Sequence, residues 1–410
     1  MKLLVFPFIV SLGCGDKDTT LRADAADDAA QDALVEAPNC TERPADAPET
    51  RSEVAGVFDE ARNRILVYGG NTAAPVECMP DYEYVAELWA FHLDCHSWER
   101  IEAPGGPGIR ARHSIVLDGS HDRLILFGGR ERLGFGRYTY YNDVWALGLA
   151  SDTWSEITTT GSAPSGRAVT AAAYDEARNR LIIFGGDVDT MGLLRAIGDM
   201  FALDLESGAW SAITTTGGPA ARFYHSSSVL GDELIVFGGA AAFNPPYFND
   251  AYAFNMVNDT WRRIATGSGP SPRFGSALFA DSANRRVIAF GGHDDGDLGN
   301  HNDSWSLDLD GDGWTELHGG DTLNGAPSGP CMFPTDFTVP EETSPERRYS
   351  MMAVQSTSTG FVFGGKTDCG NINDVWAMDL PTGAWSQRRP ATGGEACNRS
   401  GATQCTTLCY

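Results

Sequence analysis

Carboxylates clustered around glycines are the residues of this chain best placed to do chemistry. In Asp308-Leu309-Asp310-Gly311-Asp312-Gly313 the acids alternate as in the first half of a calcium-binding loop. The twelfth position is Gly319, where such a loop needs a bidentate Glu, so the weak calcium candidates Asp308, Asp310 and Asp312 compete with a plain hairpin turn between Trp305 and Trp314. His293, Asp294 and Asp295, followed by Gly296 and Asp297, form a second candidate of the same kind. His113 and His225 recur at one repeat position, His92 and His96 sit beside aromatics, and none of these makes a convincing metal pair. Cys397, Cys405 and Cys409 lack a fourth zinc ligand at a sensible spacing. With no nucleophile motif or phosphate loop, neither catalytic residues nor a cofactor are expected.

Aromatic side chains are the other resource. Tyr82 and Tyr84, then Arg137, Tyr138, Tyr140 and Tyr141, then Phe243, Tyr247 and Phe248 fall in segments that are long and unlike one another. Rings on a rigid scaffold suit stacking on a sugar or anchoring a protein partner. These residues, with His293, Asp294 and Asp295, are the candidate ligand-binding set.

The elements that must position them follow from composition and repetition. Lys and Arg total 30 against 55 Asp and Glu, a net charge of -25, which repels nucleic acid. Spread along the chain, 47 glycines and 21 prolines mark many turns and hence many short strands. Lys2 precedes an apolar run from Leu3 to Gly13 that stops at Cys14, with the length of a signal-peptide core. Gly13-Cys14 resembles the lipobox of bacterial lipoproteins, which makes Cys14 the expected lipidation site; Ser11 departs from that pattern and leaves cleaved secretion as the alternative. Residues 16 to 50 hold ten acids and no aromatics, as a solvated tether would. Eight cysteines remain beyond Cys14, an even number that reads as disulfides, with Cys40 bonded to a tail cysteine as one way to hold the two ends together.

A double glycine ends an apolar β-type run six times, at Gly69-Gly70, Gly128-Gly129, Gly185-Gly186, Gly238-Gly239, Gly291-Gly292 and Gly364-Gly365. Two aromatics nine residues apart follow each: Trp89 and Trp98, Trp145 and Trp154, Phe201 and Trp210, Tyr252 and Trp261, Trp305 and Trp314, Trp376 and Trp385. That spacing suggests cross-strand pairs facing each other in a hairpin. An acid stands two before the first aromatic (Glu87, Asp143, Asp199, Asp250, Asp303, Asp374), and an arginine 16 to 18 before the glycines (Arg51, Arg110, Arg167, Arg222, Arg273, Arg347). Proline precedes that arginine by three in five copies, whereas Pro345 is two before Arg347. Such periodic charges read as blade-to-blade ion pairing and hydrogen bonding rather than a catalytic site.

This order of arginine, apolar strand, double glycine, acid, aromatic and final tryptophan resembles the kelch repeat family over Arg51 to Gln387. The resemblance implies an all-β, six-bladed propeller of four-stranded antiparallel blades over residues 51–387, after a signal peptide (1–13) and an acidic tether (14–50). An insertion at 318–346 precedes the sixth blade, and a cysteine-containing tail (388–410) follows it. The long loops emerge on one face, which is the expected working face, and the insertion is expected to lie on that face. The reading is an exported module, lipid-anchored in the cell envelope of a bacterium, that binds a protein or a glycan without chemistry. The alternative is a sugar-active enzyme similar to the sialic-acid mutarotases found on kelch propellers. Ligands for a copper radical centre like that of galactose oxidase are not evident.

Overall fold

Each repeat folds into its own antiparallel sheet, because a hydrophobic strand bounded by tight turns finds its hydrogen-bond partners most cheaply in its sequence neighbours. The computed structural model describes Cys40 and residues 46–392 except 74–81, 135, 243, 266–267, 297, 312, 324–337, 340, 342 and 368–369. Blade one is built from Ala55–Asp59, Arg64–Tyr68, Leu88–His92 and Ser97–Ile101, in that spatial order. Five further sheets repeat the plan, and the last comprises Met352–Gln355, Thr359–Phe363, Val375–Asp379 and Trp385–Arg389. The first strand of every blade packs on the first strands of both neighbours, the sixth on the first included, so the six blades form a ring. Among the described residues the four core strands of each sheet come from one repeat, with no strand exchanged between the ends of the chain.

The apolar core lies between blades rather than within them. One cluster joins blades one and two through Leu66, Tyr68, Leu124 and Leu126, and another closes the ring with Val67, Trp98, Phe361 and Phe363. The second aromatic of each repeat mortars these seams. Trp98 meets Phe363 at 4.7 Å, Trp154 meets Tyr68 at 5.2 Å, Trp261 meets Phe184 at 5.1 Å and Trp385 meets Phe290 at 4.7 Å. In each case the partner is the aromatic just before the preceding blade's double glycine. The two aromatics of a repeat share a face but are not opposite each other, which corrects the expectation from their spacing. Trp98 stands across from Phe91, and Trp89 across from Arg100. Where the first aromatic is a tryptophan its indole donates to the acid two positions before it, as Trp145 Nε1 does to Asp143 at 2.8 Å, whereas Phe201 and Tyr252 meet Trp210 and Trp261 diagonally at 6.4 and 6.3 Å.

The arginines are buried inside their own blades. Arg222 donates to Gly238 O and to Asp250 Oδ1, both at 2.8 Å, and its Nε to Ala220 O at 3.1 Å. The ion pair is therefore intra-blade, and the blade-to-blade bond expected of it is carried by the arginine's backbone carbonyl. Gly70 N–H donates to Arg110 O at 3.1 Å, and the ring closes with Gly365 N–H donating to Arg51 O at 2.9 Å. This approach explains the glycines: a Cβ on Gly364, which has φ of +64°, would lie 2.4 Å from Arg51 O. In blade six the arginine in the repeat position is Arg348, not Arg347. Arg348 reaches Gly364 O at 3.0 Å and Asp374 Oδ1 at 2.6 Å, whereas Arg347 pairs with Asp321 of the insertion at 3.1 Å. Pro345 is thus three residues before its arginine, as in every other copy.

Cys40 is bonded to Cys95 in the turn between the third and fourth strands of blade one, not to the tail. The lead-in to blade one meets the closing seam, where Pro48 O accepts from Asn373 Nδ2 of blade six at 2.9 Å. Cys14, Cys78, Cys331, Cys369, Cys397, Cys405, Cys409 and the tether before Cys40 lie outside the described residues, as does Phe243.

Candidate functional site

Three positions of every repeat converge on the ring axis. Two residues after each arginine come Glu53, Arg112, Val169, Tyr224, Gly275 and Ser350, all with φ between 51° and 69°. Their amides run around the axis: Arg112 N–H donates to Glu53 O at 2.9 Å, Val169 N–H to Arg112 O at 2.8 Å, and Glu53 N–H to Ser350 O at 2.9 Å. A left-handed backbone is costly for a β-branched residue such as Val169, and persists here because the ring dictates it. One residue after each arginine pairs with the residue that follows the double glycine: Ser52 with Asn71, Ala111 with Arg130, Ala168 with Asp187, Phe223 with Ala240, Phe274 with His293, and Tyr349 with Lys366. The framework of these positions is six-fold, but their side chains differ.

They surround a cavity of about 180 Å³ on the long-loop face. Its walls are aromatic: Tyr82, Tyr138, Phe223, Tyr224, Tyr247, Phe274 and Tyr349 all line it. The rings lock one another, with Phe274 5.0 Å from Tyr247, 5.6 Å from Tyr224 and 5.7 Å from Tyr349. Charge enters in compensated groups. Arg112 is 2.5 Å from Glu53 and lies over the Tyr224 ring at 4.8 Å. Burial alone would push the Glu53 carboxyl up, but the Arg112 guanidinium outweighs it and holds Glu53 below the ordinary carboxylate range. Arg130 packs 4.0 Å from the Tyr138 ring and donates to Tyr140 OH at 3.1 Å, and Tyr140 in turn donates to Asp187. Across the axis Asp295 accepts from Tyr247 and lies 2.6 Å from His293 Nε2. Lys366, the only lysine after Lys17, also lines the cavity, with its ammonium 5.7 Å from the Tyr349 ring.

Of the candidate residues, Tyr82, Tyr138, Tyr247, His293 and Asp295 line the cavity. Others serve the scaffold. Tyr141 lies 4.4 Å under the Arg110 guanidinium and Phe248 4.2 Å under that of Arg222, a packing role for both. Tyr84 is buried against Asn71, and burial pushes its phenol up to about 12. Asp294 is held by Ser271 Oγ at 2.7 Å and Gly296 N–H at 2.8 Å, and Arg137 is exposed at the start of the short strand Arg137–Tyr140. Asp308 accepts from the amides of Asp310 and Gly311 in its own turn, and Asp310 pairs with Arg285 at 3.1 Å; Asp312 lies outside the described residues. Among the described residues no three His, Cys, Asp or Glu side chains are grouped as a metal site. The described part of the insertion folds as a short hairpin, Thr322–Leu323 with Thr338–Val339, and none of it lines the cavity.

Sequence reasoning passed over Glu53, Arg112, Arg130, Tyr224, Phe274, Tyr349 and Lys366 because it looked for individuality in the long loops. The signal was available in the repeat itself. In otherwise uniform copies, the second position after the arginine and the position after the double glycine hold a different residue in every blade.

The comparisons with known proteins agree with this geometry. Residues 32–239 and 136–333 match the family described as the KLHDC2/KLHL20/DRC7 Kelch-repeats domain. Acyl-CoA-binding domain-containing protein 5 of Arabidopsis thaliana is 31% identical over 237 residues, 56% of this chain and 34% of that protein. Kelch domain-containing protein 3 of Homo sapiens is 28% identical over 262 residues, 60% of this chain and 64% of that protein. Adagio protein 3 of Arabidopsis thaliana is 31% identical over 248 residues, 56% of this chain and 37% of that protein. The chain thus spans between a third and two thirds of the length of these curated relatives. With the family match running through more than half of the chain and six blades in a closed ring, the protein is a member of the kelch-repeat family.

Proposed function

We propose that this propeller is a binding module that recognises a protein partner on its long-loop face, centred on the axial cavity, and does no chemistry. The observation that carries the reading is the cavity's construction: aromatic walls locked by one another and charges already paired, which is an ordered surface that costs little entropy on binding. The paired acids also argue against a free general base, since Glu53 is held by Arg112 and Asp295 by Tyr247 and His293. A glycan is the second reading, supported by the number of rings available to stack on a sugar face.

The proposal extends to the cell envelope, with Cys14 as the lipid anchor and the acidic tether as spacer. Two experiments test it. Capture from an envelope extract is run with the full chain and with Tyr349→Ser, alongside a glycan array with turnover assays on any sugar that binds. A protein captured by the parent and lost in the variant supports the first reading, and conversion of a sugar overturns it in favour of an enzyme. A Cys14→Ala variant is expected to leave the membrane fraction, and partition equal to the parent's removes the anchor from the proposal.

A further inference from the structure

Two loops beside the cavity are built inside out. In blade two the long loop forms a hairpin, Arg130–Gly134 with Arg137–Tyr140, and it leans on the loop of blade three, where Tyr138 N–H donates to Thr190 O at 3.0 Å. Gly192 of that second loop sits against the Tyr138 ring, leaving only 3.0 Å for a Cβ. The carboxylates of the blade-three loop turn inward to hold its backbone. Buried Asp187 accepts from the amides of Asp189 and Arg195, and Asp189 accepts from those of Met191 and Leu193. The apolar side chains turn outward: Leu133 is 60% exposed, Met191 61% and Leu193 76%, the three most exposed large hydrophobics among the described residues.

A loop that spends its acids on its own backbone and shows leucine and methionine to water has a surface left to cover. Its charge is also contrary to the rest of the chain. The two loops carry Arg130, Arg132, Arg137 and Arg195 against Glu131, Asp187 and Asp189, in a protein of net charge -25. Glu131 is engaged by the Tyr141 hydroxyl at 2.6 Å, so all three acids are occupied, while Arg137 and Arg195 are exposed.

Resting on the protein-binding reading of this face, we infer that the crest formed by Leu133, Met191 and Leu193, flanked by Arg137 and Arg195, is the primary docking surface for an acidic protein segment. The occupant carries two apolar side chains to cover the crest and a carboxylate for the flanking guanidiniums. The commitment to an acidic protein rests on charge: this is a cationic sector on a molecule that otherwise repels acidic partners, so such a partner is steered to this place. The loop backbone is held by Asp187 and Asp189 before binding, so less of the hydrophobic gain is consumed by ordering it.

The test is a display library of short random loops, held within a carrier so that no chain terminus is offered, selected on the full chain. Enriched loops are expected to carry a carboxylate near a pair of apolar residues. Their affinity is expected to fall at least about tenfold for Leu193→Asp and for Arg195→Glu, and to weaken as salt is raised. Both residues are exposed, so these variants keep the fold. Loops that lose affinity for Tyr349→Ser but not for Leu193→Asp overturn the crest and leave the wider protein-binding reading standing. An absence of enrichment over the Leu193→Asp chain overturns the crest as well. Binding to phosphatidylethanolamine and phosphatidylglycerol vesicles that Leu193→Asp abolishes assigns it to a lipid surface instead. Self-association that Leu193→Asp abolishes assigns it to a second copy of the chain, and either result refutes the inference.

Discussion

Replacing Cys95 by serine removes the covalent link between Cys40, ahead of blade one, and the blade itself. The bond closes a loop of 55 residues, and the chain-entropy relation assigns such a loop about 4 kcal/mol of stabilisation through the unfolded state. The folded state should tolerate the loss. The closing seam keeps the Gly365 N–H to Arg51 O bond, the Trp98 to Phe363 contact and the Asn373 to Pro48 bond. For a fold of this size about 4 kcal/mol corresponds to a fall in melting temperature of roughly 5 °C. The assay is thermal and guanidinium unfolding of the parent, Cys40→Ser, Cys95→Ser and the double variant, without reductant. Because the two cysteines act as one unit, the double variant should be no less stable than either single variant. Single variants that match the parent, or a double variant whose loss is the sum of the two, would refute the pairing and the view that it staples the seam.

Gly364→Ala should destabilise the ring by several kcal/mol, because its left-handed φ and the 2.4 Å approach of Arg51 O leave no room for a methyl group; a parental melting temperature would contradict this. Arg222→Met leaves Asp250 without its guanidinium and should cost about 3–5 kcal/mol in denaturant titration, more than Asp250→Asn, and equal losses would contradict it. Burial lowers both His113 and His225 from 6.5 to about 3 in the folded protein. The unfolded chain therefore binds protons that the native state refuses, so this stability is complete above pH 6.5 and is lost as pH falls toward 3. Each histidine should contribute a slope of about 1.4 kcal/mol per pH unit within that window, and an unfolding midpoint unchanged between pH 7 and pH 5 would rule it out.

The blades were legible because everything that makes one is local. The double glycine, the acid, the aromatic spacing and the short turns lie within a single repeat, and hydrogen bonding between sequence neighbours needs no information from elsewhere. Where the sequence carried two arginines in succession, Arg347 and Arg348, spacing alone chose the wrong one, because only the insertion's Asp321 shows which of them is drawn away. Aromatic spacing likewise indicated a shared face but not the register, since Trp98 answers to Phe363 of another blade as well as to its own hairpin.

What the amino-acid order determined by itself was the number of blades, their strand order and the face carrying the long loops. What tertiary structure decided was the site. Glu53, Arg112, Tyr224, Phe274, Tyr349 and Lys366 are far apart in the chain and adjacent only because ring closure brings every first strand to one axis. The same holds for the Cys40–Cys95 bond and for the crest of Leu133, Met191 and Leu193, which exists because two separate loops lean on each other. Periodicity encodes contacts that recur in every copy, whereas function rests on the positions where the copies differ and meet.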